Sequence, residues 1–216
     1  MRDYVPAGMD GKVHIVPPAI DPLAPKNMAL SPEDAVYVCE QFGIDPHRPL
    51  ICQVSRFDPW KDPLGVIDAY RIVKAEHPDV QLALVGSMAH DDPEGWEYWN
   101  RTQDYCNEDP DIFMFSNLNN VGAVEVNAFQ VQAAVCIQKS IREGFGLTVS
   151  EALWKGRPFI GGDVDVAVDP PSSIVAGENF LTRIYKAIRA ANSAEGSNAY
   201  NTTFFIGWDE PGGTYD

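Results

Sequence analysis

The chain has 216 residues, 45% of them hydrophobic, and a formal net charge of −15. Such a charge argues against binding to nucleic acid or to an anionic membrane surface, and any phosphate ligand needs a few local cations to hold it. No apolar run approaches the roughly 18 residues that span a membrane. The N-terminus shows no secretory leader, so we expect a cytoplasmic protein. The four scattered cysteines, Cys39, Cys52, Cys106 and Cys136, are predicted to be buried free thiols.

Strands and helices alternate regularly between residues 31 and 160. After a short strand at 13–16, helices are predicted near 32–42, 62–76, 93–107, 123–132 and 147–155. Strands are predicted at 50–54, 80–86, 112–115, 134–137 and 158–160. This alternation predicts an α/β fold, a Rossmann-like parallel sheet with helices on both faces.

The pattern changes after residue 164. A helix near 177–191 and a strand near 202–208 follow, with no clear alternation. We therefore predict three parts. Residues 1–30 form a linker and first strand, 31–164 the α/β domain, and 165–216 a helix-strand appendage.

Arg56 and Lys61 lie in the segment 55–63, between a predicted strand and a helix. Ligands of open α/β sheets sit at the carboxyl ends of the strands, so these two cations are placed where a diphosphate needs counter-charges. The alternative is an ordinary surface loop.

Glu143 and Glu151 are eight residues apart around the turn Gly144-Phe145-Gly146, which leads into a predicted helix. Glycines let a ligand approach the backbone closely, and the first amides of a helix can donate to phosphate or sugar oxygens. Glu143 can accept from sugar hydroxyls, and Glu151 can reach a ribose diol. The alternative is a capped helix with acids near its positive end.

Five stretches together resemble a known family: 17–23, 55–63, 85–95, 125–130 and 138–147. Residues from about 13 to 164 look like the C-terminal, donor-binding domain of a retaining glycosyltransferase with two Rossmann domains (GT-B). The likeness is greatest to the trehalose synthase and trehalose phosphorylase group.

The resemblance implies a role in donor binding for eight residues: Arg56, Lys61, Val121, Glu143, Phe145, Gly146, Leu147 and Glu151. Arg56 and Lys61 would hold the diphosphate, and Glu143 with the amides of 145–147 the glucosyl unit. Glu151 would hold the ribose, and the base would lie near 117–121. The donor implied is UDP-, ADP- or GDP-glucose, with no metal or other cofactor. Because the acceptor domain of that family precedes this region, little transfer is expected from this chain alone.

The tail, about 169–216, resembles part of the bacterial phosphoesterases that include phospholipase C and acid phosphatase. In that family, the pair matching Asp209 and Glu210 helps to bind a catalytic divalent metal, so metal-dependent phosphoester hydrolysis is an alternative function. The chain would then be a fusion of two fragments. A further alternative is a folded module without ligand chemistry that self-associates through an open sheet edge.

Overall fold

The computed structural model describes residues 19–141 and 146–162, which build a five-stranded parallel β-sheet with helices on both faces. The strands are β1 (Leu50–Val54), β2 (Gln81–Gly86), β3 (Ile112–Ser116), β4 (Val135–Gln138) and β5 (Phe159–Gly161). The helices are α1 (Pro32–Gln41), α2 (Pro63–Glu76), α3 (Pro93–Cys106), α4 (Ala123–Gln132) and α5 (Leu147–Trp154). Short 3-10 helices follow β1 and β3, at Pro59–Lys61 and Asn117–Asn119. The predicted fold class is confirmed.

Helices α2 and α3 begin with the same local device. Each has an aspartate at the N-cap, a proline at the first helical position and a glycine two residues later. The carboxylate of Asp62 accepts the Gly65 N–H at 3.1 Å, and that of Asp92 accepts the Gly95 N–H at 3.0 Å. These caps satisfy amide groups that have no partner within the helix, which explains why both helices start where the sequence predicts.

Side chains alternate between the two faces of the sheet, and each face has its own core. On β1, Ile51 joins a cluster with residues of α2 and α3, whereas Leu50 and Cys52 join a cluster with residues of α1, α4 and α5. A strand covered on both sides is apolar at nearly every position, which is why the strands read as continuous hydrophobic runs. All four cysteines are buried, as predicted.

The strand order is β3-β2-β1-β4-β5, with every neighbouring pair parallel. From β1 the chain moves outwards through β2 to β3, then crosses back to β4 on the other side of β1. The order therefore reverses between β1 and β4, which pair through Cys52 and Cys136. In a doubly wound sheet this reversal leaves a crevice at the carboxyl ends of the two strands.

The predicted strand at 13–16 and the predicted elements of 165–216 lie outside the described residues, and the three-part division stays a prediction. Within the part that is described, no helix is long and apolar enough to cross a membrane.

Candidate functional site at the carboxyl edge of the sheet

The loop after β1 is organised by one buried carboxylate, that of Asp58. Its Oδ1 accepts the Lys61 N–H at 3.0 Å, which caps the 3-10 helix Pro59–Lys61. Its Oδ2 accepts from Arg56 Nε at 3.1 Å and from Nη2 at 2.8 Å. Asp58 is 3% exposed, while the Arg56 side chain keeps 67% of its surface accessible. A single acid therefore orients the Arg56 guanidinium, which stays open to solvent, and fixes the backbone of Lys61.

The backbone around Lys61 is held from the sheet as well. The Lys61 carbonyl accepts from Gln53 Nε2 at 2.9 Å, and Gln53 is a buried residue of β1. The neighbouring Trp60 carbonyl accepts the Ile141 N–H at 2.8 Å. Since Ile141 follows β4, this bond ties the two loops that flank the crevice.

A buried ion pair joins the same two loops. Lys139, the first residue after β4, is 1% exposed, and its Nζ contacts the carboxylate of Asp62. Burial raises the pKa of Asp62 above its usual value, and the charge and hydrogen bond of Lys139 act in the opposite direction. Asp62 also adopts the left-handed backbone conformation, with φ 45° and ψ 55°, which is uncommon outside glycine, although asparagine and aspartate adopt it more readily than other residues. Sequence reasoning assigned no role to either residue. The available signal was a lysine directly after a buried strand.

The region predicted to receive the base is built from the loops after β2 and β3. The Asn117 side chain accepts the Met88 N–H at 2.7 Å and donates to the Met88 carbonyl at 3.1 Å, so it joins the two loops. Val121 is buried in the same core cluster as Phe115, and its N–H donates to the Ser116 carbonyl at 3.2 Å. With its side chain in the core, Val121 can offer a base little more than backbone groups and van der Waals contact.

Helix α5 begins at the predicted sugar-binding turn. Gly146, its N-cap, has φ 74°, a conformation that favours glycine, and glycine itself has no side chain to cap the helix. Leu147 is 41% exposed. Thr148 Oγ1 and Gln138 Oε1 are 3.3 Å apart, so the first turn of α5 lies beside the end of β4. Residues 142–145, with the predicted Glu143 and Phe145, lie outside the described residues, as do Asp209 and Glu210.

Glu151 lies on the second turn of α5 and is buried. Its Oε2 is 2.6 Å from Nζ of Lys26, in the segment before α1. Lys155, one turn later, donates to the Glu151 carbonyl and to Asn27 Oδ1, both at 3.2 Å. Burial lowers the pKa of Lys155 to about 8, although Glu151 opposes this effect. The structure thus places Glu151 in a charge cluster with two lysines that the sequence did not predict.

The described residues contain no group of three or more histidine, cysteine or acidic side chains placed to hold a metal. Arg56, Lys61, Gly146 and Leu147 lie in loops or helix starts at the carboxyl edge of β1 and β4. Val121 lies beyond β3 at the same edge. This edge therefore offers cations and backbone amides, which suits an anionic ligand with polar groups.

The comparison with protein families identifies the class. The family described as "Glycosyl transferases group 1" matches residues 39–180, and the chain belongs to it. The matched range includes the whole described sheet and the first residues of the predicted appendage, and it ends before Asp209.

A trehalose synthase of Rubrobacter xylanophilus is 64% identical to this chain over 182 residues, which are 84% of this chain and 43% of that protein. The chain therefore spans less than half the length of this curated relative. A glycosyltransferase from Rickettsia africae shares the fold with a TM-score of 0.56 at 20% identity, over 80% of this chain and 45% of that one. The Anabaena protein HepE, solved in complex with UDP-glucose, does so with a TM-score of 0.54 at 19% identity, over 74% of this chain and 44% of its own.

Proposed function

We propose that this chain binds a nucleoside-diphosphate-glucose as the donor-binding half of a retaining, trehalose synthase-like glucosyltransferase. The observation that carries the proposal is the loop beside the β1–β4 crevice, in which Asp58 orients the Arg56 guanidinium and fixes the backbone of Lys61. The similarity to a trehalose synthase supports glucose as the sugar. The binding of UDP-glucose by HepE, which has the same fold, supports a nucleotide sugar as the ligand class.

In the proposed complex, Arg56 and Lys61 neutralise the diphosphate, and Glu143 with the amides of Phe145, Gly146 and Leu147 holds the glucosyl unit. The Arg56 guanidinium keeps its position through Asp58 and can present further N–H donors to phosphate oxygens. The first amides of α5 add donors and a positive helix end.

The base occupies the loops near Val121, and Glu151 accepts from the ribose hydroxyls. For that contact the Glu151 carboxylate has to share its charge with Lys26, which is 2.6 Å away. No metal is needed, because the cations and amides supply the counter-charge. The groups named here account for donor binding, and glucosyl transfer requires an acceptor site in addition.

Isothermal titration calorimetry with UDP, ADP, GDP and their glucose esters tests the proposal. We expect binding of at least one diphosphate. Lys61→Met and Arg56→Gln should each weaken it about 10- to 100-fold, the value of one charged hydrogen bond of about 1.5–3 kcal/mol. Arg101→Gln is the matched control, because Arg101 is an exposed cation over the Tyr98 ring on α3. No binding by any of these ligands at millimolar concentration, or equal losses in the control, would refute the proposal.

The alternative, metal-dependent phosphoester hydrolysis through Asp209 and Glu210, rests on the sequence resemblance of the tail alone. It predicts hydrolysis of p-nitrophenyl phosphate that a chelator abolishes and that Asp209→Ala removes. Hydrolysis that persists in Asp209→Ala would exclude this assignment, and its absence from the parent chain would leave the donor-binding proposal unaffected.

A further inference from the structure

We infer that the buried Lys139–Asp62 ion pair is a positioning element that fixes the Lys61 loop against the end of β4 for diphosphate binding. This inference rests on the proposed function. Neither residue reaches the ligand by itself, since Lys139 is 1% exposed and Asp62 is also buried. Their effect on binding therefore passes through the loop between them.

Four contacts hold the three consecutive residues Trp60, Lys61 and Asp62. Trp60 is bonded through its carbonyl to Ile141, and Lys61 through its N–H and carbonyl to Asp58 and Gln53. Asp62 is bonded to Lys139. Of these, only the Ile141 bond and the Asp62–Lys139 pair connect the loop to β4. The side-chain pair is the one that mutation can remove.

Burying the pair costs free energy, which argues that the pair has a functional role. Two charges are withdrawn from water, and Asp62 occupies a left-handed backbone conformation. Asp92 caps α3 in the same Asp-Pro-x-Gly context without either feature, since its φ is −110° and no lysine of the described residues forms an ion pair with it. Capping alone therefore does not require the lysine or the strained backbone.

Asp62→Asn separates positioning from simple electrostatics. Asparagine caps helices as well as aspartate and tolerates the left-handed conformation, so α2 keeps its start. The substitution removes a negative charge near the phosphate loop, and by charge alone it should tighten diphosphate binding. Loss of positioning should instead weaken it. We expect about tenfold weaker binding, the lower end of the loss when groups that orient metal ligands are removed. Asp92→Asn, with the same change in charge and cap, should bind within twofold of the parent.

Gly65→Ala disturbs the pair without changing any charge. A Cβ at Gly65 would meet the Asp62 carboxylate and would lie 2.7 Å from Lys139 Nζ, whereas alanine suits a helix better than glycine does. Gly95→Ala is its matched control, because there a Cβ lies 2.7 Å from the Asp92 carboxylate and meets no lysine. Gly65→Ala should weaken diphosphate binding, and Gly95→Ala should not.

The experiment is calorimetric titration of the full chain and these variants with the nucleoside diphosphate that the parent binds best, after circular dichroism has verified folding. In a Lys61→Met background, Asp62→Asn should weaken diphosphate binding by less than about twofold, because the lysine that the pair positions is no longer present. A purely structural role predicts equal losses in both backgrounds. Binding by Asp62→Asn that equals or exceeds that of the parent, together with an unaffected Gly65→Ala, overturns the inference alone. Absence of binding by the parent overturns the proposed function and the inference with it.

Discussion

Removing Lys139 should destabilise the protein strongly, and the loss should shrink at acidic pH. Lys139→Met leaves the Asp62 carboxylate buried at the crevice without its counter-charge. Breaking a buried ion pair by removing one partner costs about 3–5 kcal/mol in free energy of unfolding. Both side chains are almost fully shielded from solvent, so water and salt screen their interaction very little. We expect a loss in this range at pH 8, measured by denaturation with guanidinium chloride.

The pH dependence follows from the pKa of Asp62. Burial already raises this pKa above 3.8, and Lys139 opposes the rise. Without the lysine the pKa must rise further. An acid with a raised folded-state pKa stabilises the fold when protonated and loses that contribution as pH increases through the pKa. The deficit of Lys139→Met should therefore decrease from pH 8 to pH 5, with a limiting slope of about 1.4 kcal/mol per pH unit.

Lys74→Met is the matched control, because Lys74 pairs with Asp109 at 2.7 Å and Asp111 at 2.9 Å at the opposite edge of the sheet. Partial burial acts to raise the pKa of both aspartates, but the hydrogen bonds from Lys74 outweigh this effect and lower it. The control deficit should therefore be constant between pH 5 and 8, and it should be about 1 kcal/mol, since the groups are partly exposed. A deficit below about 1 kcal/mol for Lys139→Met at pH 8, or one that grows towards pH 5, would refute the reasoning.

Three further predictions concern other parts of the fold. Lys155 has its pKa lowered to about 8, so unfolding should become less favourable as pH rises from 8 to about 10 in the parent relative to Lys155→Met; identical profiles in thermal melts would contradict this. Gly162→Ala should lower the free energy of unfolding by about 1–3 kcal/mol, because the new Cβ would clash with the Ser140 carbonyl oxygen and lie 3.1 Å from the Ser140 nitrogen. An unchanged chemical denaturation curve would count against this close contact. In the described part of the sheet β3 and β5 are the outer strands, and they are expected to allow self-association, which concentration-dependent light scattering would reveal and a monodisperse monomer would exclude.

Local signals predicted the elements well. β1 was predicted at its observed bounds as a buried apolar run, and α2 because apolar residues from Val66 to Val73 recur at helical spacing. The short 3-10 helix Pro59–Lys61 was missed, since its formation depends on the Asp58 side chain rather than on hydrophobic periodicity. Such turns carry no repeating pattern that sequence reading can detect.

The candidate site was less predictable, because its important contacts join distant residues. Arg56 and Lys61 were chosen for their charge and their place after a strand, and the structure does place them at the crevice. Their common anchor Asp58 lies only a few residues from each of them, yet its role depends on side-chain direction. The pairing of Lys139 with Asp62 joins residues 77 apart in sequence, and that of Glu151 with Lys26 joins two distant segments. Only the assembled sheet brings these groups together.

The reactivity of the four buried thiols can report how often the folded protein opens. Burial raises the pKa of Cys39 and Cys136 to about 12 and that of Cys106 to about 11, and it raises the pKa of Cys52 as well. A thiol reagent attacks the thiolate, so the closed protein should react very slowly. Cys52 and Cys136 lie side by side on the two strands that border the crevice. Their alkylation rate, with and without nucleotide, would measure how often the centre of the sheet unfolds locally and whether a bound ligand suppresses this unfolding.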